Sequence, residues 1–527
     1  MSSVITLESV DFTWPDGRSV FTDLNLAFGP RRTGIVGRNG VGKTTFLNLA
    51  SGELAPTAGV VRRHGDVAVL RQIGAGSSTA RVRDLLGVAE ELDRLDRIER
   101  GIASDADFES ADWTLEQEVE AALLRMGLRK IDDRRLAGSL SGGELTRVNL
   151  AALLLTEPAA ILLDEPTNNL DSAGRAAVAQ LLAAWEGCAM VVSHDRDLLG
   201  RVDDIVELSG LGARSYGGAY DLYRSRRDAE AEAASRALDD AEKTLEKTRR
   251  EAQLARERKA RRDAAGRRAK ARGDQPKIVL NARAGLAETT SGRLNTLAQR
   301  LETQARESLE AARSRVERTR GLALDLPPSG LALGKSVLVF DDVSFGWDGG
   351  RVMFDSLSFR MTGPERVAVA GANGSGKTTF VRLAIGDLKP DRGRVELGVR
   401  AVVLDQQVGL LHEADDLIAN YRRLNPTADD RQAHAALARF LFRNTAALTP
   451  VRQLSGGERV RAGLACALMA PDPPRLIILD EPTNHMDVDS IEAIEDALLA
   501  YDGALIVISH DLKFLDAVGI TRSLDLG

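Results

Sequence analysis

Two stretches of the chain combine glycines, a lysine and paired threonines at a spacing that suits a phosphate chain: Gly37-Arg38-Asn39-Gly40-Val41-Gly42-Lys43-Thr44-Thr45 and Gly371-Ala372-Asn373-Gly374-Ser375-Gly376-Lys377-Thr378-Thr379. Glycines let backbone N–H groups close on phosphate oxygens with no Cβ in the way, and a helix beginning at the lysine adds the positive end of its dipole. Each loop follows a short apolar run, Gly34-Ile35-Val36 or Val367-Ala368-Val369-Ala370, as a strand-to-helix phosphate loop requires. Lys43 and Lys377 then neutralise β- and γ-phosphates, and the hydroxyls of Thr44 and Thr378 are placed for Mg2+.

Two further runs, Ala160-Ile161-Leu162-Leu163 and Leu476-Ile477-Ile478-Leu479, are apolar throughout, as strands buried on both faces must be, and end in Asp164-Glu165 and Asp480-Glu481. The two acids divide the work of a hydrolytic site. Asp164 and Asp480 are expected in the Mg2+ shell, while Glu165 and Glu481 polarise the attacking water. Beyond another apolar run, His194 and His510 are expected near a γ-phosphate. Leu-Ser-Gly-Gly-Glu occurs at 140–144 and 454–458, where Ser141 or Ser455 suits a helix N-cap and Gly142, Gly143, Gly456 and Gly457 leave N–H groups open to an anion.

The same motifs return in the same order, so the chain is one design used twice. Matched positions differ by 334 at the lysines (377 − 43) and by 316 at the Asp-Glu pairs (480 − 164) and histidines (510 − 194). The smaller offset leaves about 20 extra residues in the first half between Gln72 and Ser141, around Glu90–Asp112. The 527 residues predict several folding units. No run is long and apolar enough for a membrane span, no export signal is read at the N-terminus, and only Cys188 and Cys466 are present, so a reducing, cytoplasmic setting is expected.

Net charge is −7, but residues 221–320 carry 26 Lys+Arg against 17 Asp+Glu, or +9, which leaves −16 for the rest. Ala219 to about Arg272 lacks proline, is rich in Ala, Glu, Lys and Arg, and predicts one long helix. Gly273-Asp274-Gln275-Pro276 breaks it, and Ala282 to about Arg320 again predicts helix, which together form an antiparallel hairpin. Arg249–Arg272 holds 11 basic and 3 acidic residues, either a solvated spacer surface or a face for polyanions.

Phosphate loop, glutamine, Leu-Ser-Gly-Gly-Glu, Asp-Glu and histidine in that order resemble the ATP-binding cassette proteins over nearly all of residues 3–210 and 336–527. Two fused cassettes around a basic helical linker resemble one branch in particular, the ABC-F family. The resemblance implies an α/β fold of two P-loop cassettes (1–220 and 326–527) joined by a helical hairpin (221–325). It also implies ATP and Mg2+ as ligands, Gln72 and Gln406 in the metal shell, and Trp14 and Trp347 stacking on adenine. The nucleotide sites of that family are composite. Ser141 and Gly143 are therefore expected opposite Lys377, and Ser455 and Gly457 opposite Lys43, in a monomer that closes on ATP. For the hairpin, the resemblance implies contact with ribosomal RNA and P-site tRNA through Arg267, Arg268, Lys270, Arg272 and Lys277, in a translation factor or an antibiotic-resistance ribosome protection factor. The competing expectation is the ATPase of an exporter with separate membrane subunits. The first D-loop, Asn168-Asn169-Leu170-Asp171, departs from the usual Asn-His-Leu-Asp.

Overall fold

A computed structural model describes residues 3–526 except 71–78, 130, 169, 211, 272–299, 301–302, 312–325, 348–350, 373, 406–407 and 485, with some side chains inside described elements also left aside. The chain divides into two compact units, Met1–Tyr223 with Gly321–Gly527, and Arg224–Arg320.

The first unit contains two versions of one architecture. In the first half a six-stranded sheet runs Val67–Leu70, Ala160–Asp164, Cys188–Val192, Arg32–Val36, Asp204–Ser209, Gly212–Gly217, parallel except for the last pair. The second half has a five-stranded parallel sheet: Ala401–Leu404, Leu476–Asp480, Ala504–Ile508, Arg366–Ala370, Arg522–Asp525. The central strands are apolar because both of their faces are covered; every residue of Cys188–Val192 and Ala504–Ile508 is buried. Each half adds a three-stranded antiparallel sheet, with Ile5–Thr13 between Ser19–Phe28 and Ala58–Arg63, and Ser336–Trp347 between Arg351–Thr362 and Arg392–Leu397.

This order brings three loops together. The phosphate-loop strand is separated from the strand ending in Asp164 by Cys188–Val192, so all three carboxyl ends lie side by side, as do those of Arg366–Ala370, Ala504–Ile508 and Leu476–Asp480. Ligands of open parallel sheets bind at such edges, because polar side chains can emerge there without entering the core.

The extra residues of the first half form helices Ala89–Glu99 and Asp105–Glu109. They are tied down by Arg83, only 2% exposed, which donates to Asp96 at 2.9 Å and also to Asp93 and Asp133. The expected long helix runs Tyr220–Ala271, 52 residues or about 78 Å at 1.5 Å per residue, beginning in the first unit and lying mostly in the second. Residues 303–311 are also helical, and Ala305 and Leu309 bury against Leu245, flanked by Leu238 and Ala241. The remainder of the expected hairpin lies outside the described residues.

Ile478 is fully buried in the middle of its strand, in a core cluster to which both sheets of the second half and helix Lys377–Ala384 contribute. Ile478→Ala is expected to cost about 2–5 kcal/mol through lost transfer energy and a residual cavity, while Leu512→Ala, at a side chain 70% exposed, is expected to change little; thermal unfolding of the two variants measures the contrast.

Candidate functional site

At the first site, Gly37, Gly40 and Gly42 have φ of 151°, 79° and 107°, values that favour glycine. A Cβ on Gly37 would lie 2.4 Å from the Leu208 carbonyl oxygen, so that position needs glycine for space as well as for its torsion. Helix Lys43–Ser51 starts directly from Gly42. Lys43 is 8% exposed, and its Nζ donates to the carbonyl oxygens of Gly37 at 2.7 Å and Arg38 at 3.3 Å and to Asn39 Oδ1 at 3.2 Å. The Thr44 hydroxyl donates to Asp164 Oδ2 at 2.9 Å. A hydroxyl and a carboxylate held this close are the hard oxygen donors that Mg2+ takes from a protein while phosphate and water complete its shell. Thr45 is buried beneath the loop.

Glu165 and Glu481 both sit at φ 49°, in left-handed backbone, with their N–H groups donating to the carbonyl oxygens of Val192 and Ile508 at 2.9 and 2.8 Å. His194 Nε2 lies 3.2 Å from Glu165 Oε1, and His510 Nε2 3.6 Å from Glu481 Oε1. Burial pushes the carboxyl pKa of Glu165 up to about 8 and that of Glu481 up to about 7, each opposed by its loop lysine. Burial also holds His194 well below the ordinary imidazole value and lowers His510 to about 4, with Lys377 and Arg175 adding to the effect on His510. Carboxylates raised toward neutrality are suited to accept a proton from water.

The second site repeats this arrangement with differences. Gly371, Gly374 and Gly376 have φ of 150°, 85° and 100°. Lys377 Nζ donates to Gly371 O at 2.8 Å and lies 3.1 Å from His510 Nε2, while the Thr378 hydroxyl reaches Asp480 Oδ2 at 3.4 Å and Thr379 is buried. Asn373, Gln72 and Gln406 lie outside the described residues.

A cavity of about 700 Å3 joins these groups at the first site. Its wall includes Trp14, Asn39 through Thr45, Asp164, Glu165, Asn168 and His194 from the first half, and Ser455 from the second. A flat apolar ring at one position and a buried cation on a glycine-rich loop at another match a nucleotide. Trp14 also meets Phe12 edge-on with centroids 5.0 Å apart, and Trp347 meets Phe345 in the same way at 5.4 Å.

Ser455 N-caps helix Gly456–Leu468 in a capping box with Glu458, and Ser141 does the same for Gly142–Thr156 with Glu144. Gly457 packs inside its half, where an added Cβ would come within 2.8 Å of Ser490, whereas at Gly142 it would meet nothing within 4 Å. Of the linker residues, Arg267, Arg268 and Lys270 lie on the long helix and their side chains are not described; Arg272 and Lys277 are outside the described residues.

The family model described as ABC transporter matches residues 22–168 and 354–484, more than half of the chain. The chain is 30% identical to the tylosin resistance ATP-binding protein TlrC of Streptomyces fradiae, over 97% of its own length and 95% of that protein's. It is 31% identical to the energy-dependent translational throttle protein EttA of Mycobacterium tuberculosis, over 94% of this chain and 87% of that one. It belongs to the ABC-F family of tandem ATP-binding cassette proteins. A solved archaeal ribosome recycling factor, in complex with a ribosomal stalk protein, shares the fold at a TM-score of 0.60 and 17% identity, covering 98% of this chain and 87% of that one. No helix among the described residues is long and apolar enough to cross a membrane.

Two residues at the first site of this ABC-F chain are given no role by the motifs alone. Asn168, given above only as part of the first D-loop, lines the cavity; a signal was available, since it stands two residues after Pro166 as Asn484 stands two after Pro482. Asp487 accepts from the backbone N–H of Asn39 at 2.9 Å, joining the second cassette's D-loop to the first cassette's phosphate loop. Its other oxygen caps helix Val488–Ala500 through the N–H of Ser490 at 2.8 Å. Asp487→Ser is therefore expected to keep the helix cap yet lose the reach to Asn39; nucleotide affinity at the first site should fall about tenfold, on the order of one hydrogen bond, with thermal stability nearly unchanged, as titration calorimetry and unfolding would show.

Proposed function

We propose that this ABC-F protein binds ATP with Mg2+ at two composite sites, hydrolyses it with Glu165 and Glu481 as the residues that polarise water, and uses the cycle on the ribosome as a translation factor or an antibiotic-resistance protection factor. The observation that carries the catalytic part is the shared cavity, in which Ser455 of the second cassette borders the same space as Lys43, Thr44, Asp164 and Glu165 of the first. In this reading Lys43 and Lys377 bind phosphate, Thr44 with Asp164 and Thr378 with Asp480 hold the metal, and Gln72 and Gln406 complete the metal shell. Mg2+ when bound supplies charge neutralisation at the β- and γ-phosphates. Trp14 and Trp347 orient the base. His194 and His510, kept neutral by burial, donate or accept at the γ-phosphate beside the glutamates.

The ribosomal part rests on the relatives and on charge. TlrC is a resistance protein and EttA a translational throttle protein by name, and both match nearly the whole of this chain. The helix Tyr220–Ala271 is about 78 Å long and carries Arg267, Arg268 and Lys270 near its C-terminal end, and Arg272 and Lys277 follow in the sequence. Basic side chains on a stiff arm bind RNA phosphates with release of counterions.

Two experiments divide these parts. The Glu165→Gln/Glu481→Gln variant is expected to bind ATP with near-parental affinity while turnover falls by at least a hundredfold; parental turnover would remove the two glutamates from the mechanism. Replacing the five basic arm residues by glutamine should weaken sedimentation with ribosomes and flatten its dependence on salt, by about one unit of log–log slope for each phosphate no longer neutralised, and leave ATP binding intact. Unchanged sedimentation and slope would separate the arm from RNA.

A further inference from the structure

The cassettes also meet away from the nucleotide cavity. Just beyond the first histidine loop, Arg196 forms a two-pronged pair with Glu495 of helix Val488–Ala500, Nη1 donating to Oε2 at 3.1 Å and Nη2 to Oε1. Both residues are 7% exposed. Asp511, the residue after His510, lies 4.0 Å from the same guanidinium. Next to this pair, Lys513 Nζ donates to the Arg196 carbonyl oxygen at 3.3 Å, lies 3.6 Å from Asp197 Oδ1, and sits 5.8 Å from the centre of the Tyr220 ring. The Tyr220 hydroxyl donates to Glu492 at 3.3 Å. None of these residues lines the cavity.

The internal repeat gives this contact a direction. With the offset of 316, Arg196 corresponds to Leu512, Asp197 to Lys513, Glu495 to Ala179 and Glu492 to Ala176. Asp197 and Lys513 are thus equivalent positions that touch each other, so they lie where the pseudo-twofold axis passes. In a pairing of two identical cassettes, a residue on the axis meets its own copy. Two first cassettes would oppose Asp197 to Asp197 and Arg196 to Ala179; two second cassettes would oppose Lys513 to Lys513 and bury Glu495 against Leu512. Either pairing sets like charges together and breaks the two-pronged pair: two first cassettes would leave buried Arg196 only Asp195, the counterpart of Asp511, and two second cassettes would leave buried Glu495 no cation.

We propose that Arg196–Glu495, Asp197–Lys513 and Tyr220–Glu492 form a one-directional ionic joint whose partner is the opposite cassette of the same chain, and that it holds the cassettes in register with or without nucleotide. The joint rests on the two-cassette reading above but not on hydrolysis. By linking the residues that follow His194 and His510, it makes the two histidine loops move about a common point.

The test uses the full chain with one spin label on each cassette, at Arg201→Cys and Leu499→Cys, both exposed, since native Cys188 and Cys466 are fully buried. Pulsed EPR should give one narrow distance distribution without nucleotide and with ADP or ATP. Glu495→Arg should at least double its width, and Arg196→Glu added to it should restore the parental width. If Glu495→Arg fails to fold by circular dichroism, Glu495→Gln takes its place, with Arg196→Gln as the compensating change. A broad parental distribution without nucleotide, a single variant as narrow as the parent, or a compensated variant as broad as the single one would each overturn the joint. Parental ATP turnover, measured on the same preparations, bears only on the proposed function, so the two can fail separately.

Discussion

Lys43 is a charged side chain taken almost wholly out of water, and the first site is arranged around that fact. An ammonium moved into the protein costs several kcal/mol unless opposite charge and hydrogen bonds meet it. Burial lowers its pKa, and the opposing carboxylates are Glu165 and Asp164 of the first cassette and Asp487 and Asp489 of the second. Two of the four thus arrive from the other half of the chain. Separation of the cassettes leaves Lys43 with the Gly37 and Arg38 carbonyls, the Asn39 side chain and the acidic groups of its own cassette, so the closeness of the cassettes and the protonation of Lys43 are coupled.

The remaining polar groups reach that lysine because of the sheet. Strands covered on both faces tolerate no polar side chain along their length, so chemistry is confined to the residues just past their ends. Asp164, Glu165 and His194 all follow apolar strands that register side by side, Asp164 opposite Val192. The turn from strand to loop is abrupt. It places Glu165 and Glu481 in left-handed backbone, a cost of about 1–2 kcal/mol for a residue with a Cβ, and a backbone hydrogen bond to the neighbouring strand fixes each one there. The same geometry recurs at both sites, φ 49° in each case, where the same strand order is followed by the same Asp-Glu-Pro-Thr-Asn sequence.

Features set by neighbours in the chain could be read in advance. The phosphate loops, the apolar strands before Asp164 and Asp480, the Ser-Glu capping boxes and the helix from about residue 220 to 271 each depend on local spacing, and the internal repeat supplied a second reading of every motif. What depended on residues far apart was not legible. Asp487 and Asn39 meet across 448 positions, and no periodicity encodes that encounter; the approach of Ser455 to Lys43 was expected only through a family resemblance. Arg83, just before the stretch read as an insertion, is the buried centre of an acidic cluster that includes Asp93 and Asp96 of helix Ala89–Glu99. The glutamines at 72 and 406 and the end of the basic arm lie outside the described residues.

A duplicated cassette begins with the same residue at both copies of every position, and most of the motif positions here still agree. Positions on the pseudo-axis obey a different rule. A charge there faces itself while the copies are identical, and becomes favourable only when one copy carries the opposite sign. Asp197 and Lys513 satisfy that condition, and Arg196 with Glu495 carries it to a buried pair present in one direction alone. The nucleotide-binding edges of the two cassettes resemble each other because both carry the same motifs at the same strand ends. Their axis differs, and in the proposed joint these departures from repeat symmetry favour the opposite cassette over a second copy of the same one.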